Sequence, residues 1–345
     1  MTLGREYFRC PRCGDAAYPL DGRLGLEGLL SPRATRLACL AAASWSFDVA
    51  ADRLDELAGV RLDGETLRRH AAAAAGRLAR RRDKAAPAAA AFAAAAGRDW
   101  EFLTDGVFAP TRGGWRELKL GLFQRRKRGG PASAAEWATR ELPPPAACCA
   151  YARMEACGEF AARWRGWAAG LGLAESADLT VVADGAAWIW AAAAEQFPKA
   201  GGLLDVFHAL LHVGGAAAAL HGEGSAEAAA WADGVRGRLL ADGWPGLCDA
   251  LAPALAGPLT DGQRQAIDGA VAYFAAHTGR LGYAGRLASG RSIGSGAVEG
   301  LARRLGDRLK VPGRGWLDRS IDPMAALVCT VNTTEWGALW DAMAA

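Results

Sequence analysis

The chain has 345 residues, 51% of them hydrophobic and 22% charged, with a formal net charge of +3. That length suffices for two or three domains with a sizeable core, and the balance excludes an intrinsically disordered chain. The longest apolar stretch, Ala85 to Ala96, is nearly all alanine and contains Pro87; it predicts no membrane span, and no export signal opens the chain.

The charge is unevenly spread. Arg61, Arg68, Arg69, Arg77, Arg80, Arg81, Arg82 and Lys84 make one basic block, Arg112 to Arg128 a second and residues 280–319 a third, whereas 199–279 is acidic. Separated basic blocks point to a polyanion held by selected segments.

In chain order, Cys10-Pro11-Arg12-Cys13-Gly14 comes first. Its turn residues let two thiolates converge on one zinc ion. A structural zinc takes four ligands, so residues 1–24 read as half of a zinc ribbon, a truncated or degenerate start. The other cysteines follow no disulfide spacing and read mostly as buried thiols in a reducing, cytoplasmic setting.

Residues 25–96 predict three helices and a linker. Leu37, Ala38, Leu40 and Ala41 share one face; Phe47, Ala50, Leu54 and Leu57 recur at helical spacing behind a Ser44 or Ser46 cap. Gly59 stops the second helix, and Asp63 and Glu65 favour the start of a third that carries Arg68 and Arg69 in its early turns. Helix, glycine turn, basic helix is the helix-turn-helix pattern, with Arg68 and Arg69 as candidate DNA contacts.

From Trp100 the period changes. Trp100–Asp105, Trp115–Phe123, Cys148–Tyr151, Leu179–Ala183 and Leu203–Val206 read as strands, with helical spacing through Phe160, Trp164, Trp167 and Leu171 and again over Ala187–Phe197. A β-meander followed by α, β, α and β is the order of an RNase H-like mixed sheet, an α/β fold. The assignment is 97–207 for its first part, 208–288 for a helical insertion, and 289–345 for its last part, with a final helix over Ala297–Leu309.

Asp105 and Asp184 each close an apolar strand and precede glycine, which alone is common turn chemistry. In the expected topology their strands are neighbours, so both carboxylates emerge at one sheet edge. Adjacent carboxylates repel unless a cation sits between them, and hard oxygen donors select Mg²⁺ or Mn²⁺. Glu299, in Ser292-Ile293-Gly294-Ser295-Gly296-Ala297-Val298-Glu299, supplies the third acid: the glycines allow close approach, and Ser295 is positioned to cap its helix. Three acids predict a two-metal site for in-line phosphoryl transfer. Arg303, Arg304, Arg308 and Lys310 follow on that helix as phosphate contacts. A surface Glu299–Arg303 pair is the plainer alternative.

These segments carry a specific resemblance. Phe102-Leu103-Thr104-Asp105-Gly106 with Trp115-Arg116-Glu117-Leu118-Lys119, Asp184-Gly185-Ala186-Ala187-Trp188-Ile189-Trp190, and Asp205-Val206-Phe207-His208-Ala209-Leu210-Leu211-His212 are followed by Ile293–Glu299 and Arg308-Leu309-Lys310. Together, and in this order, they resemble the ISKra-type bacterial insertion-sequence transposases, a DDE family with an RNase H-like core. The resemblance implies catalytic Asp105, Asp184 and Glu299. It also implies DNA contacts that include Lys119, His208 and His212, a homo-oligomer when two DNA ends are synapsed, and work at the bacterial nucleoid.

The chain departs from the family at the zinc half-site, at Leu211, where an acid usually separates the histidines, and at Val311-Pro312-Gly313-Arg314-Gly315-Trp316. His208 and His212 share a helix face; metal binding is their second reading, with Asp205 the only further ligand in reach. Trp188, Trp190 and Trp316 are placed to stack on an unpaired base. The expectation is a DNA transposase that cuts transposon ends and joins them to target DNA. The rivals are an inactive, transposase-derived DNA-binding protein and a cellular RNase H-like nuclease.

Overall fold

The computed structural model describes residues 6–344, apart from 24–25, 27–28, 85–87, 175–177, 312 and 314. Pro87 and, in the tail motif, Pro312 and Arg314 therefore lie outside the described residues.

A small ribbon, β1 (Phe8–Arg9) with β2 (Ala16–Ala17), precedes a short helix α1 (Pro19–Arg23). Three helices follow: α2 (Pro32–Ser44), α3 (Phe47–Ala58) and α4 (Gly64–Lys84). Ser31 caps α2 through its Ala34 amide (3.3 Å), Gly59 closes α3 with φ 64°, and the Asp63 carboxylate accepts from the Thr66 amide (2.8 Å). Ser46 stands at the start of α3 without a side-chain cap bond. The alanine-rich run becomes α5 (Ala89–Ala94).

The core is α/β, with a mixed five-stranded sheet. β3 (Asp99–Thr111) and β4 (Gly114–Arg126) form a long hairpin, β5 (Ala147–Arg153) extends it antiparallel, and β6 (Leu179–Ala183) and β7 (Gly201–Leu204) add in parallel on the other side. The order is β5-β4-β3-β6-β7, so the strands leading to Asp105 and Asp184 are neighbours, as expected.

Two strand ends differ from expectation. β3 runs on to Thr111, so Asp105 lies within the strand and does not close it. Gly106 does not break the ladder, because it faces Lys119 across an unbroken register while the Glu117 carboxylate fills the space a Cβ would need. β7 stops at Leu204, because Asp205 caps the helix that begins at Val206.

One face of the sheet is aromatic. Phe102 meets Phe123 at 4.5 Å and Trp164 at 4.7 Å between ring centroids, with Phe197 and Phe160 beside them. The helical spacing through this region is divided between α6 (Cys157–Ala161) and α7 (Trp164–Gly170); α8 (Ala187–Gln196) follows β6. On β3, strand alternation turns Asp105 to the face opposite Phe102. Against β3 packs the amphipathic α13 (Gly296–Leu309), which buries Val298, Leu301, Leu305 and Leu309. It is not the last helix, since α14 (Asp318–Val331) and α15 (Glu335–Ala344) follow, and α14 buries Ile321, Met324, Leu327 and Val328. After the last strand of the sheet come α9 (Val206–His221), α10 (Ala226–Ala256), α11 (Asp261–Ala275) and α12 (Tyr283–Ala288), which occupy the stretch read as a helical insertion and precede α13. No helix among the described residues is long and apolar enough to cross a membrane.

The N-terminal helices do not hang on a free linker. α4 packs on α14, and α2 touches α13 and α14. Arg82 of α4 reaches Glu335 of α15 at 2.7 Å, both side chains buried, and it also donates to the Ala150 carbonyl and lies over the Tyr151 ring (4.6 Å). Removing one partner strands the other charge without water. Glu335→Ala is therefore expected to destabilise the fold by about 3–5 kcal/mol, as loss of half a buried pair does. Urea unfolding measures it, and a loss below about 1 kcal/mol, the size of a surface pair, would refute the pair's structural role.

Candidate metal centre

The sheet places three acids at one level. Leu103 pairs with Val182, and Val182 with Leu203; Asp105, Asp184 and Asp205 each stand two positions further along these parallel segments. Glu299 comes from the opposite element, the first turn of α13.

Asp205 joins the two. It is fully buried; Oδ1 accepts from the Ser295 amide (2.6 Å), and Oδ2 accepts from the His208 amide (3.0 Å) and faces His208 Nδ1 (2.8 Å). Three of a carboxylate's roughly four acceptor positions are thus engaged. The arrangement caps α9, orients the imidazole with Nε2 outward, and pins the loop that leads to Glu299. Gly294 lets the loop pass close to Phe207, whose ring would have to shift for a Cβ at this position (2.7 Å). Ser295 heads α13 but does not cap it: its hydroxyl donates to Glu299 Oε1 (2.7 Å), so it aims the carboxylate.

Asp205, His208 and Glu299 offer ligand atoms all within 4.8 Å of one another, a group that can hold a metal ion. Among the described residues, Asp105 and Asp184 do not belong to that close group. They surround it through charge. Burial, and then the neighbouring charges of Asp184 and Glu299, push the Asp105 carboxyl up, against the Gly106 amide and His208. His208 is raised by its bond to Asp205 and by the charges of Asp205, Asp184 and Asp105. Among the described residues, Asp105, Asp184 and Glu299 form no ion pair with an arginine or lysine; Glu299 does not pair with exposed Arg303. Concentrated anions with a raised carboxyl and, apart from His208, no cationic side chain bound to them among the described residues are the chemistry a metal cation fits.

The insertion braces the Asp184 loop. Asp184 Oδ1 accepts from the Ala186 amide (2.9 Å), and its carbonyl accepts from Trp190 Nε1 (2.9 Å). Tyr273 and His277 of the insertion close over Gly185, where any Cβ would collide with the Tyr273 ring. Burial and the nearby Asp184 and Asp205 push the Tyr273 hydroxyl up to about 12. Exposed His212 stacks on Tyr273 at 3.6 Å and stands apart from the close ligand group. In the sequence, Tyr273 and His277 read only as helix residues four apart; the clue to Asp205 was its place three residues before His208.

Several expected nucleic-acid contacts are placed otherwise. Arg308 is 3% exposed, donates to the Ala42 carbonyl and covers the Phe47 ring (4.5 Å), so it ties α13 to α2 and cannot meet a phosphate. Lys119 is buried and bound to Glu117 (2.6 Å). Arg68 and Arg69, by contrast, stay exposed on α4, where Glu65 lies 2.6 Å from Arg68 and 3.9 Å from Arg69. Arg303, Arg304 and Lys310 are exposed, Arg304 donating to Asn332 (2.9 Å). Trp190 is buried, Trp188 packs toward Trp164 (6.0 Å) and Trp316 donates to the Leu309 carbonyl (3.0 Å), so packing and hydrogen bonding explain all three. Cys10 and Cys13 are exposed; of the others, Cys39, Cys149 and Cys329 are buried and Cys248 is exposed.

No protein-family model matches the chain, and no curated protein matches it.

The Asp205–His208 bond has a measurable consequence in the metal-free protein. A raised imidazole means that protonated His208 favours the fold. That contribution is fully present below the ordinary histidine value near 6.5 and is lost as pH rises through the folded value. Asp205→Asn is expected to return His208 toward the ordinary value and flatten this slope. NMR titration of the imidazole reads it; an unmoved titration refutes the pairing.

Proposed function

We propose that the chain is a DNA transposase with an RNase H-like core, using Asp105, Asp184 and Glu299 to hold Mg²⁺ or Mn²⁺. The carrying observation is that Asp105 and Asp184 stand at one level of adjacent strand segments and Glu299 meets them from a helix, with no arginine or lysine paired to Asp105, Asp184 or Glu299 among the described residues. Numbered within the core, the strand order is 3-2-1-4-5 with the second strand antiparallel, which supports the RNase H-like reading.

Each residue has a definite part. Asp105 and Asp184 supply carboxylate oxygens from neighbouring strand segments, and Glu299 supplies a third from α13, steadied by the Ser295 hydroxyl. Asp205 fixes His208, whose outward nitrogen serves as a further ligand or as a hydrogen-bond donor to a phosphate oxygen. Arg303, exposed one turn beyond Glu299, and Lys310 provide positive charge for the DNA backbone. Gly185, closed over by Tyr273 and His277, keeps the Asp184 loop in place. When bound, the metal supplies Lewis acidity at the scissile phosphate and lowers the pKa of the attacking water.

The rival, a descendant that binds DNA without cutting, has one observation in its favour: the closest ligand group takes Asp205 and His208 in place of Asp105 and Asp184.

Purified protein with Mn²⁺ is expected to nick DNA carrying the inverted repeats that flank its gene. Asp184→Asn and Glu299→Gln should each reduce nicking to background while leaving DNA binding within about twofold, since both residues act on the chemical step. Binding without cleavage by the unaltered protein decides for the rival.

A further inference from the structure

The hairpin of β3 and β4 runs on beyond the sheet that carries the acids. β6 pairs with β3 only as far as Leu103, and β5 pairs with β4 only from Lys119 onward, so the ribbon between Gly106 and Leu118 projects past both neighbouring strands. One face of it is packed: Val107, Ala109 and Leu118 are buried on the side of α13. Its turn is pinned as well. The Trp316 amide donates to the Pro110 carbonyl (2.9 Å), and the Arg112 amide donates to the Trp316 carbonyl (2.9 Å).

The other face is aromatic and in water. Phe108 is 55% exposed and Trp115 63%. The register sets Phe108 opposite Glu117 and Pro110 opposite Trp115, so the two rings are diagonal neighbours on one face. Neither ring stacks on another among the described residues. Glu117, the acid on this ribbon, is held by Lys119 (2.6 Å). Arg112 stands exposed at the turn, with Arg116, 3.6 Å from Asp318, close by.

We propose that this face seats one unpaired base of the DNA, stacked on Trp115 and Phe108, with Arg112 at the adjoining backbone phosphate. The inference rests on the reading of DNA as the substrate. Rings presented on a ribbon already fixed by the sheet, α13 and Trp316 give up little freedom on binding, and every base has a flat face to offer them. Arginine beside the rings, with the ribbon's acid already paired, complements a polyanion. Phe108 follows Asp105 by three residues on the same strand, yet alternation turns it to the opposite side of the ribbon. A base held there is separated by the ribbon itself from a strand held at the acids, so it cannot stay paired with that strand.

The test uses the full chain without divalent metal, so that binding is read apart from cutting. Two labelled DNA duplexes of one sequence are compared by fluorescence anisotropy, one fully paired and one with a single unpaired 2-aminopurine. The unaltered protein is expected to bind the second about tenfold more tightly and to quench its fluorescent base, as stacking on an aromatic ring does. Trp115→Ala and Phe108→Ala should each remove most of that preference and the quenching, while affinity for the paired duplex stays within about twofold. Both side chains are largely exposed, so the fold tolerates the changes, and Trp115→Phe, which keeps a ring, should retain the preference. Equal affinity for the two duplexes, or a preference that survives in Trp115→Ala, would overturn the proposal and leave the metal-centre reading standing. A sedimentation mass that falls in Trp115→Ala would assign the face to contact between copies of the chain and overturn it too. Absence of binding to either duplex would overturn both readings.

Discussion

A single buried carboxylate holds the candidate centre together. Asp205 receives the Ser295 amide on one oxygen and the His208 amide and ring on the other, with no part of the residue exposed to water. Its three partners belong to segments almost ninety residues apart in sequence, the end of β7 with the start of α9 on one side and the glycine-rich loop before α13 on the other. A buried anion with several fixed donors is stable only while all of them are present. The helical insertion can leave and return between these segments, because its two ends are closed by this one group. The position of Glu299 relative to Asp105 and Asp184 is inherited from that closure.

The insertion is more than a spacer. Tyr283 of α12 donates to the Leu204 carbonyl (3.0 Å), Tyr273 and His277 cover Gly185, and Arg280 lies over the Trp190 ring (4.3 Å). Each contact lands on a segment that leads into or out of Asp184 or Asp205. The residues that carry the acids are therefore clamped from the insertion side, while α13 fixes them from the opposite element. The N-terminal helices enter the same framework through two arginines: Arg82 against Glu335, and Arg308 against the Ala42 carbonyl and the Phe47 ring. The region read as a helix-turn-helix-like DNA-binding segment is thus packed onto the C-terminal helices, and one of its basic residues, Arg82, serves as an internal strut.

Sequence periodicity carried the order and type of the core elements, because strand runs such as Leu179–Ala183 and amphipathic faces such as Val298–Leu309 are local signals. It also placed Asp105 and Asp184 on neighbouring strands. What it missed depends on partners distant in sequence. Asp105 looks like a strand end only until the ladder with β4 is known, since Gly106 is carried through by the residues opposite it. Ser295 has the sequence signature of a cap, and the fold instead gives its hydroxyl to Glu299. Arg308 and Lys119 look like phosphate ligands, because a sequence shows charge but not burial.

Strand β3 contains its own control for reading the acids as functional. Near its beginning, Glu101 is buried and fully compensated: Arg286 reaches it at 3.0 Å, Arg126 at 3.7 Å, and Gln124 donates to it at 2.7 Å. Asp99 likewise meets Arg128 at 3.0 Å and Arg291 at 3.2 Å. Further along the same strand, Asp105 has Asp184 and Glu299 for neighbours, and its carboxyl is pushed up, with only the Gly106 amide and His208 opposing the shift. A fold that neutralises its buried acids with arginine at one end of a strand can do so at the other. Among the described residues Asp105, Asp184 and Glu299 have no such partner, an arrangement that a cation from outside the chain would complete. The asymmetry along β3 argues for an exogenous divalent ion more directly than the acids do by themselves.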